Sequence, residues 1–381
     1  MRQAADKLGY LANQVPAILV AGTNGKGTTS GAIWQMLTLA GYKVGLYTSP
    51  HLVDFRERFV VGRELVDDKV LNVELAYQQE QLRELFEELS FFEISTLLAL
   101  GIFQKTGCEF QVLEVGLGGR WDATNIVAPI LSVVTSIGID HQEFLGNSIS
   151  GIAREKAGIF RKDVPAIWGD IGNQETTALI KQLAEECGAI YVPAEQIANI
   201  NDCSIPNISY LKKNISAAMT GLKFLAQDGT IKKNFSDVYN FESLPYPASL
   251  RGRFEIIHRP NSDPLILDIC HNVDGVKEFL KAFVNVYGAN SGAKAFVSIL
   301  RDKNYCEILY ELQQVFQTIE LFTLEGERFW RQDDLCADHK SLYFHPSSTS
   351  VISELRSSKV LSVVCGSALA LQPLFEAFPR A

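Results

Sequence analysis

A chain of 381 residues that is 47% hydrophobic and 21% charged has the make-up of a soluble globular protein, with length enough for two domains and substantial cores. Its net charge of −9 excludes the basic footprint that non-specific nucleic-acid binding requires, yet leaves room for a local basic pocket and an anionic substrate. The opening MRQAADKLGYLANQ lacks an apolar core of signal-peptide length and no run reaches transmembrane length, so no membrane partner is expected.

AILVA (17–21) is short, apolar and bounded by glycine, which predicts a strand. Ile33, Met36, Leu37 and Ala40 then recur at helical spacing until Gly41, and KVGLYTS (43–49) predicts a second strand. Further buried strands are expected at FQVLEVG (110–116) and ILSVVTSIGI (130–139), with helices over 67–89, 93–106, 148–157 and 173–187. Strands alternating with helices imply a mostly parallel, doubly wound sheet covered on both faces. The polar stretch QDGTIKKNFSDVYNFESLPYPAS (227–249) separates this region from a second set of apolar runs, at 264–270, 293–300, 318–324 and 360–366. Two α/β domains follow, 1–248 and a smaller 249–381. The seven cysteines are scattered, odd in number and without a C-x-x-C pair, as suits free thiols in a reducing cytoplasm.

Five stretches carry chemistry. AGTNGKGT (21–28) places three glycines and Lys26 directly after a strand. Backbone N–H groups at a strand-to-helix turn, with the helix dipole behind them, favour a phosphate, and Lys26 would add charge at its outer oxygens. Gly27 follows Lys26 where the common P-loop pattern has Ser or Thr, so Thr28 or Thr29 would supply the hydroxyl; a tight turn with incidental glycines is the alternative. TSP (48–50) could turn Ser49 to the phosphates or simply end a strand. Glu114 lies in an apolar strand, where an ionised carboxylate is costly without a cation; magnesium and Arg120 are both open. Asp140 and His141 follow another strand end, and Lys156 lies one turn after Ile152, either near a polar site or at the surface beside Glu155. Beyond residue 248, Arg253 precedes a strand that ends in Asp268 and His271, which contact a ligand or form a capping turn. His258, His339 and His345 show no ligand spacing and read as structural or exposed.

The motifs AGTNGKGT, TSPHL...ER, FFEISTLLAL, EVGLGGRWDATN, SIGIDHQEFLG, IAREKAGIFR, GRFE, LDICHN and SILRDKN, in this order over residues 20 to 305, resemble the folylpolyglutamate synthase and dihydrofolate synthase family of the Mur-ligase superfamily. The resemblance implies a P-loop-containing α/β domain that binds ATP and folate, followed by a Rossmann-like glutamate ligase domain. It implies an amide ligase, using ATP and two Mg2+ ions, that converts a carboxylate to an acyl phosphate for displacement by the amine of L-glutamate. The acceptor would be tetrahydrofolate, dihydropteroate or, alternatively, another carboxylate. Carried over by matching motif, Thr23, Asn24, Gly25, Lys26, Gly27 and Thr28 hold the ATP phosphates, with Asn214, Arg253, Asp268 and His271 as further nucleotide contacts. Ser49, Glu114 and His141 serve magnesium, and Lys156 matches a lysine that is carbamylated into a metal ligand; Lys26, His141 and Lys156 form the catalytic set. Ser90, Phe91, Phe92 and Glu93 with Trp121, Asp122 and Ala123 match positions lining the pterin and pteroate pocket. Arg251 stands where the family usually has Pro and is expected to add charge beside the nucleotide; Trp121 replaces a smaller apolar residue. A monomeric, cytoplasmic enzyme is expected.

Overall fold

Short apolar runs bounded by glycine and proline form the strands, and the segments between them bury one face as helices. The computed structural model describes residues 1–12, 14–195, 208–233, 251–324, 328–335 and 342–379. The chain divides into two units, Met1–Asn207 with Leu211–Leu250, and Ile208–Tyr210 with Arg251–Ala381. The expected boundary at 248/249 lies outside the described residues.

In the first unit the strands are β1 (Ala17–Ala21), β2 (Val44–Tyr47), β3 (Phe59–Val61), β4 (Glu64–Leu65), β5 (Phe110–Glu114), β6 (Pro129–Val134), β7 (Pro165–Trp168) and β8 (Ile190–Pro193). They lie in the order β4-β3-β2-β5-β1-β6-β7-β8, parallel except for the β2–β3 and β3–β4 pairs. From β1 the chain runs by way of the helix Lys26–Leu39 to β2, returns to insert β5 beside β1, and then crosses to β6 on the other side. The loops leaving β1, β5 and β6 therefore meet where the direction of winding reverses, the place where open α/β sheets bind ligands. The register sets Val20 beside Glu114 and Ala21 beside Val134. Fully buried Ile18, Leu19, Ile33, Tyr47, Phe59, Phe103 and Trp168 fill the core.

The second unit holds β9 (Glu255–Arg259), β10 (Ser262–Asp268), β11 (Lys294–Ser298), β12 (Thr318–Phe322), β13 (Tyr343–His345) and β14 (Ser362–Gly366). Their order is β13-β12-β11-β14-β10-β9, with only β9–β10 antiparallel among these pairs. The doubly wound, mostly parallel α/β architecture expected from the sequence is thus present in both units.

Boundaries differ in instructive places. The expected helix 67–89 is two, Asp68–Leu82 and Glu84–Glu87, because Arg83 between them takes a left-handed φ of 54°. The expected strand 130–139 stops at Val134, and Thr135 to Asp140 leave the sheet as a loop. Among the described residues no helix is long and apolar enough to cross a membrane.

Candidate active site

The loop after β1 is fixed by the loop after β6. Thr23 N–H donates to the Ser136 carbonyl at 2.9 Å, and the Thr23 hydroxyl accepts from Gly138 N–H at 2.9 Å. Asn24 N–H donates to the Ser136 hydroxyl at 3.0 Å, while the Thr135 hydroxyl donates to the Asn24 carbonyl at 2.6 Å. Thr135 and Ser136, which sequence reasoning passed over, are therefore the braces of the loop; their signal was two hydroxyls directly after a buried strand. Gly25, at φ 88°, caps the helix Lys26–Leu39, and a Cβ there would lie 2.2 Å from Asn214 Oδ1. That close approach brings Asn214, on the helix Ser209–Gln227, against the loop.

Lys26 Nζ donates to the carbonyls of Gly22 (3.0 Å) and Thr23 (3.2 Å), and Lys156 Nζ donates to the same Gly22 carbonyl at 3.0 Å. Lys156 comes from the helix Ile149–Ala157, capped by Ser148, whose buried Ile152 and Ala153 carry Lys156 inward with them. It is only 4% exposed, which overturns the surface alternative. Burial and then the Lys26 charge pull its pKa down to about 7, because both disfavour the ammonium. Lys26 and Lys156 line one pocket with Gly22, Thr23, the 115–118 turn, Asp140 and His141. His141 has a φ of 49°, and its Nε2 lies 4.0 Å from Asp140 Oδ2.

Glu114 is the last residue of β5, 4% exposed, and accepts from Ser49 N–H at 3.2 Å. Ser49 and Glu114 thus adjoin, while His141 and Lys156 share the pocket. The buried Thr28 hydroxyl has no hydrogen-bond partner. The Glu114 carboxylate and the orphaned Thr28 hydroxyl are hard oxygen donors, and that hydroxyl is a group that a hydrated magnesium or a phosphate would satisfy; these residues fit such an ion.

Ser90 and Glu93 form a capping box on the helix Phe91–Lys105: Ser90 N–H donates to Glu93 Oε2 at 2.9 Å and Glu93 N–H to the Ser90 hydroxyl at 3.3 Å. Phe91 is exposed, 5.6 Å from the Phe55 ring, with the Arg58 guanidinium 5.5 Å above it. Arg58 donates through Nε to His51 Nδ1 at 2.9 Å, and burial together with that guanidinium holds the His51 pKa below its ordinary value. Phe92 packs against Gly116, where a Cβ would meet the ring at 2.5 Å. Trp121 is 84% exposed and Ala123 buried. Asp122 accepts from the N–H groups of Gly116, Leu117 and Thr124 and from the Thr124 hydroxyl, so it holds the GLGG turn in place. Burial raises its pKa against the opposing pull of those bonds.

In the second unit, Asp268 ends β10, buried, accepting from the Tyr210 hydroxyl at 2.6 Å and Phe254 N–H at 2.7 Å. Burial pushes its carboxyl upward. Arg253 reaches the Gly252 carbonyl at 3.4 Å, His271 Nδ1 lies 2.9 Å from the Ile269 carbonyl, and Asn272 caps the helix Val273–Tyr287 through Gly275 N–H. Arg251, expected to add charge beside the nucleotide, binds through its guanidinium to Glu255 (3.1 Å) and the carbonyls of Phe375 (3.1 Å) and Phe378 (3.0 Å), tying down the C-terminal helix. His258 is exposed and His339 lies outside the described residues. His345 is buried against two carboxylates.

Residues 20–200 match the Mur ligase middle domain. The chain is 32% identical over 343 residues to the dihydrofolate synthase/folylpolyglutamate synthase of Escherichia coli, covering 85% of this chain and 76% of the relative. It superposes on an Escherichia coli FolC in complex with DHPP and ADP with a TM-score of 0.85 at 30% identity, over 98% of this chain and 91% of the other. A bifunctional folylpolyglutamate synthase/dihydrofolate synthase with Mn, AMPPNP and L-glutamate bound matches with a TM-score of 0.85 at 28% identity, over 99% and 92% of the two chains.

Proposed function

This chain belongs to the dihydrofolate synthase/folylpolyglutamate synthase family, and from that premise we propose that it is an ATP-dependent ligase joining L-glutamate to a folate carboxylate. The observation that carries the reading is the convergence of Lys26 and Lys156 on the Gly22 carbonyl, within a loop whose Gly22 and Gly25 admit no Cβ. Such a loop offers backbone N–H groups and positive charge to a triphosphate, and phosphoryl transfer between anions needs charge neutralisation above all.

In this reading Thr23 to Thr28 cradle the phosphates, with Lys26 at the transferring group. Asn214, Arg253, Asp268 and His271 serve the nucleotide. Ser49, Glu114 and His141 would hold divalent metal, two ions in all, which supplies Lewis-acid charge when bound. Lys156 carries the finer proposal. With its pKa near 7, much of the amine is neutral at physiological pH and can attack CO2, giving a carbamate and releasing one proton. The product is an anion where an ammonium stood, a ligand suited to metal beside Glu114 and His141. Phe91, Phe92 and Trp121 present aromatic surface for the flat acceptor ring, while Ser90, Glu93, Asp122 and Ala123 set the turns that display it. The first unit would then bind ATP and folate and the second complete the glutamate ligase, in a monomeric cytoplasmic enzyme without nucleic-acid or membrane partners.

Incubation with ATP, Mg2+, L-glutamate and either tetrahydrofolate or dihydropteroate should release phosphate only when every component is present. Absence of turnover with both acceptors would overturn the assignment, and the ratio of the two rates decides between chain lengthening and dihydrofolate formation.

A further inference from the structure

The second unit carries a cluster that no ligase role uses. Lys294 opens β11, Glu320 lies in β12, His345 ends β13, and Glu354 is on the helix Ser348–Ser357. Parallel pairing sets Glu320 beside Tyr343 and Phe322 beside His345, so Glu320 and His345 are two residues apart on neighbouring strands and share one face of the sheet. Each carboxylate divides its oxygens. Glu320 gives Oε1 to Lys294 Nζ (2.5 Å) and Oε2 to His345 Nε2 (2.5 Å); Glu354 gives Oε1 to Lys294 and Oε2, at 3.5 Å, to the same Nε2. One ligand atom from each of Glu320, His345 and Glu354 lies within 4.8 Å of the other two.

His345 supplies an independent observation. It is 2% exposed, held between the rings of Phe296 and Tyr343, and its Nδ1 has no hydrogen-bond partner. All the polar engagement of this buried ring is through Nε2, aimed at the two carboxylates. Two carboxylates and an imidazole nitrogen thus converge in a largely buried setting, a ready donor set for a cation.

We propose that Glu320, His345 and Glu354 form a Zn2+ site that fastens the three-residue edge strand β13 to β12 and to the helix above it. One imidazole and two carboxylates suit zinc better than magnesium, which favours an all-oxygen shell. Tetrahedral ligands at about 2.0–2.1 Å from zinc lie roughly 3.3 Å from one another, within the 2.5 to 4.8 Å spread of the cluster. Glu354, a third exposed, marks the side where the ion enters and where water completes the shell.

The test strips the full-length protein with a chelator, adds Zn2+, removes excess by gel filtration and measures bound zinc and melting temperature. His141→Asn controls for uptake at the nucleotide site. Expected is one zinc equivalent more on the wild type than on His345→Asn or Glu354→Gln, and one more on His141→Asn than on either change made in that background, with a melting temperature raised by several degrees only where that equivalent is bound. Lys294→Met removes the competing ammonium, so it should melt lower than wild type without zinc and show a larger zinc-dependent gain. If His345→Asn does not fold, Glu354→Gln, at a position only a third exposed, carries the comparison alone. Equal zinc content in wild type and Glu354→Gln, or a Lys294→Met melting temperature indifferent to zinc, would overturn the site and leave only the network of Lys294, Glu320, His345 and Glu354.

Discussion

Lys156 concentrates the chemistry of the first unit in one amine. Its folded pKa of about 7 lies below the ordinary value of about 10.4, so between these limits the folded state binds fewer protons than the unfolded one. Stability therefore rises with pH across that window, and the cost of burying the ammonium is fully present below about pH 7. Lys156→Met should consequently stabilise the protein in CO2-free buffer at pH 7, by an amount on the order of a few kcal/mol, and flatten the slope between pH 7 and 10 while abolishing ligase turnover. Urea unfolding at pH 7 and 9 checks the sign, and a variant less stable than wild type at both values would show that the bond to Gly22 outweighs desolvation. The carbamate makes a separate prediction with the opposite readout. Enzyme depleted of CO2 should regain activity, assayed at one common pH, faster after exposure at pH 8 than at pH 6 to the same dissolved CO2 concentration, since only the neutral amine attacks; an identical recovery at both values would remove the carbamate. The spacing of Lys156 from Ile152 and Ala153 was visible in the sequence. The burial and the neighbouring charge that lower its pKa were not, because Lys26, at the start of the helix Lys26–Leu39, lies 130 residues earlier in the chain.

At the level of elements, local signals were legible wherever a residue speaks to its own neighbours. The strand–glycine–helix turn and the helix expected over 93–106, which spans Phe91–Lys105, both follow from patterns within a few positions. Ser90 and Glu93 show how such a pattern can serve two purposes: the resemblance places them at the acceptor pocket, while their hydrogen bonds close a capping box. Ser90→Ala should cost about 1 kcal/mol of stability with little change in acceptor KM; unchanged stability with a raised KM would return Ser90 to the pocket. Gly25 depends on a distant partner instead. In Gly25→Ala the left-handed backbone costs about 1–2 kcal/mol and the new methyl meets Asn214 at 2.2 Å, so the loop must shift. ATP affinity should fall at least tenfold by equilibrium binding, since neither the strained φ nor the contact with Asn214 is relieved unless the loop moves. Full affinity in Gly25→Ala would mean that the loop does not hold the phosphates. The break at Arg83 was illegible for a plainer reason: no glycine or proline marks it.

On the scale of the whole chain, alternating strands and helices announced two doubly wound sheets, and β3, β4, β7, β8, β9 and β13 escaped because runs of two to five residues carry little periodicity. The Glu320, His345 and Glu354 cluster escaped for a deeper reason, since only the pairing of β12 with β13 brings such separated positions together. Each unit has its own sheet and its own buried residues, and chains of this kind commonly depart from two-state unfolding. Calorimetry should accordingly resolve two transitions, which point variants can assign. Gly25→Ala should lower one of them. Arg251→Met should lower the other, because it removes the bonds from the guanidinium to Glu255 and to the Phe375 and Phe378 carbonyls, all within the second unit. Charge-assisted bonds contribute about 1.5–3 kcal/mol each before losses elsewhere are counted, so a shift of several degrees is expected in a unit of this size. A single transition whose calorimetric and van't Hoff enthalpies agree, moved by both variants alike, would show instead that the two sheets unfold as one cooperative body.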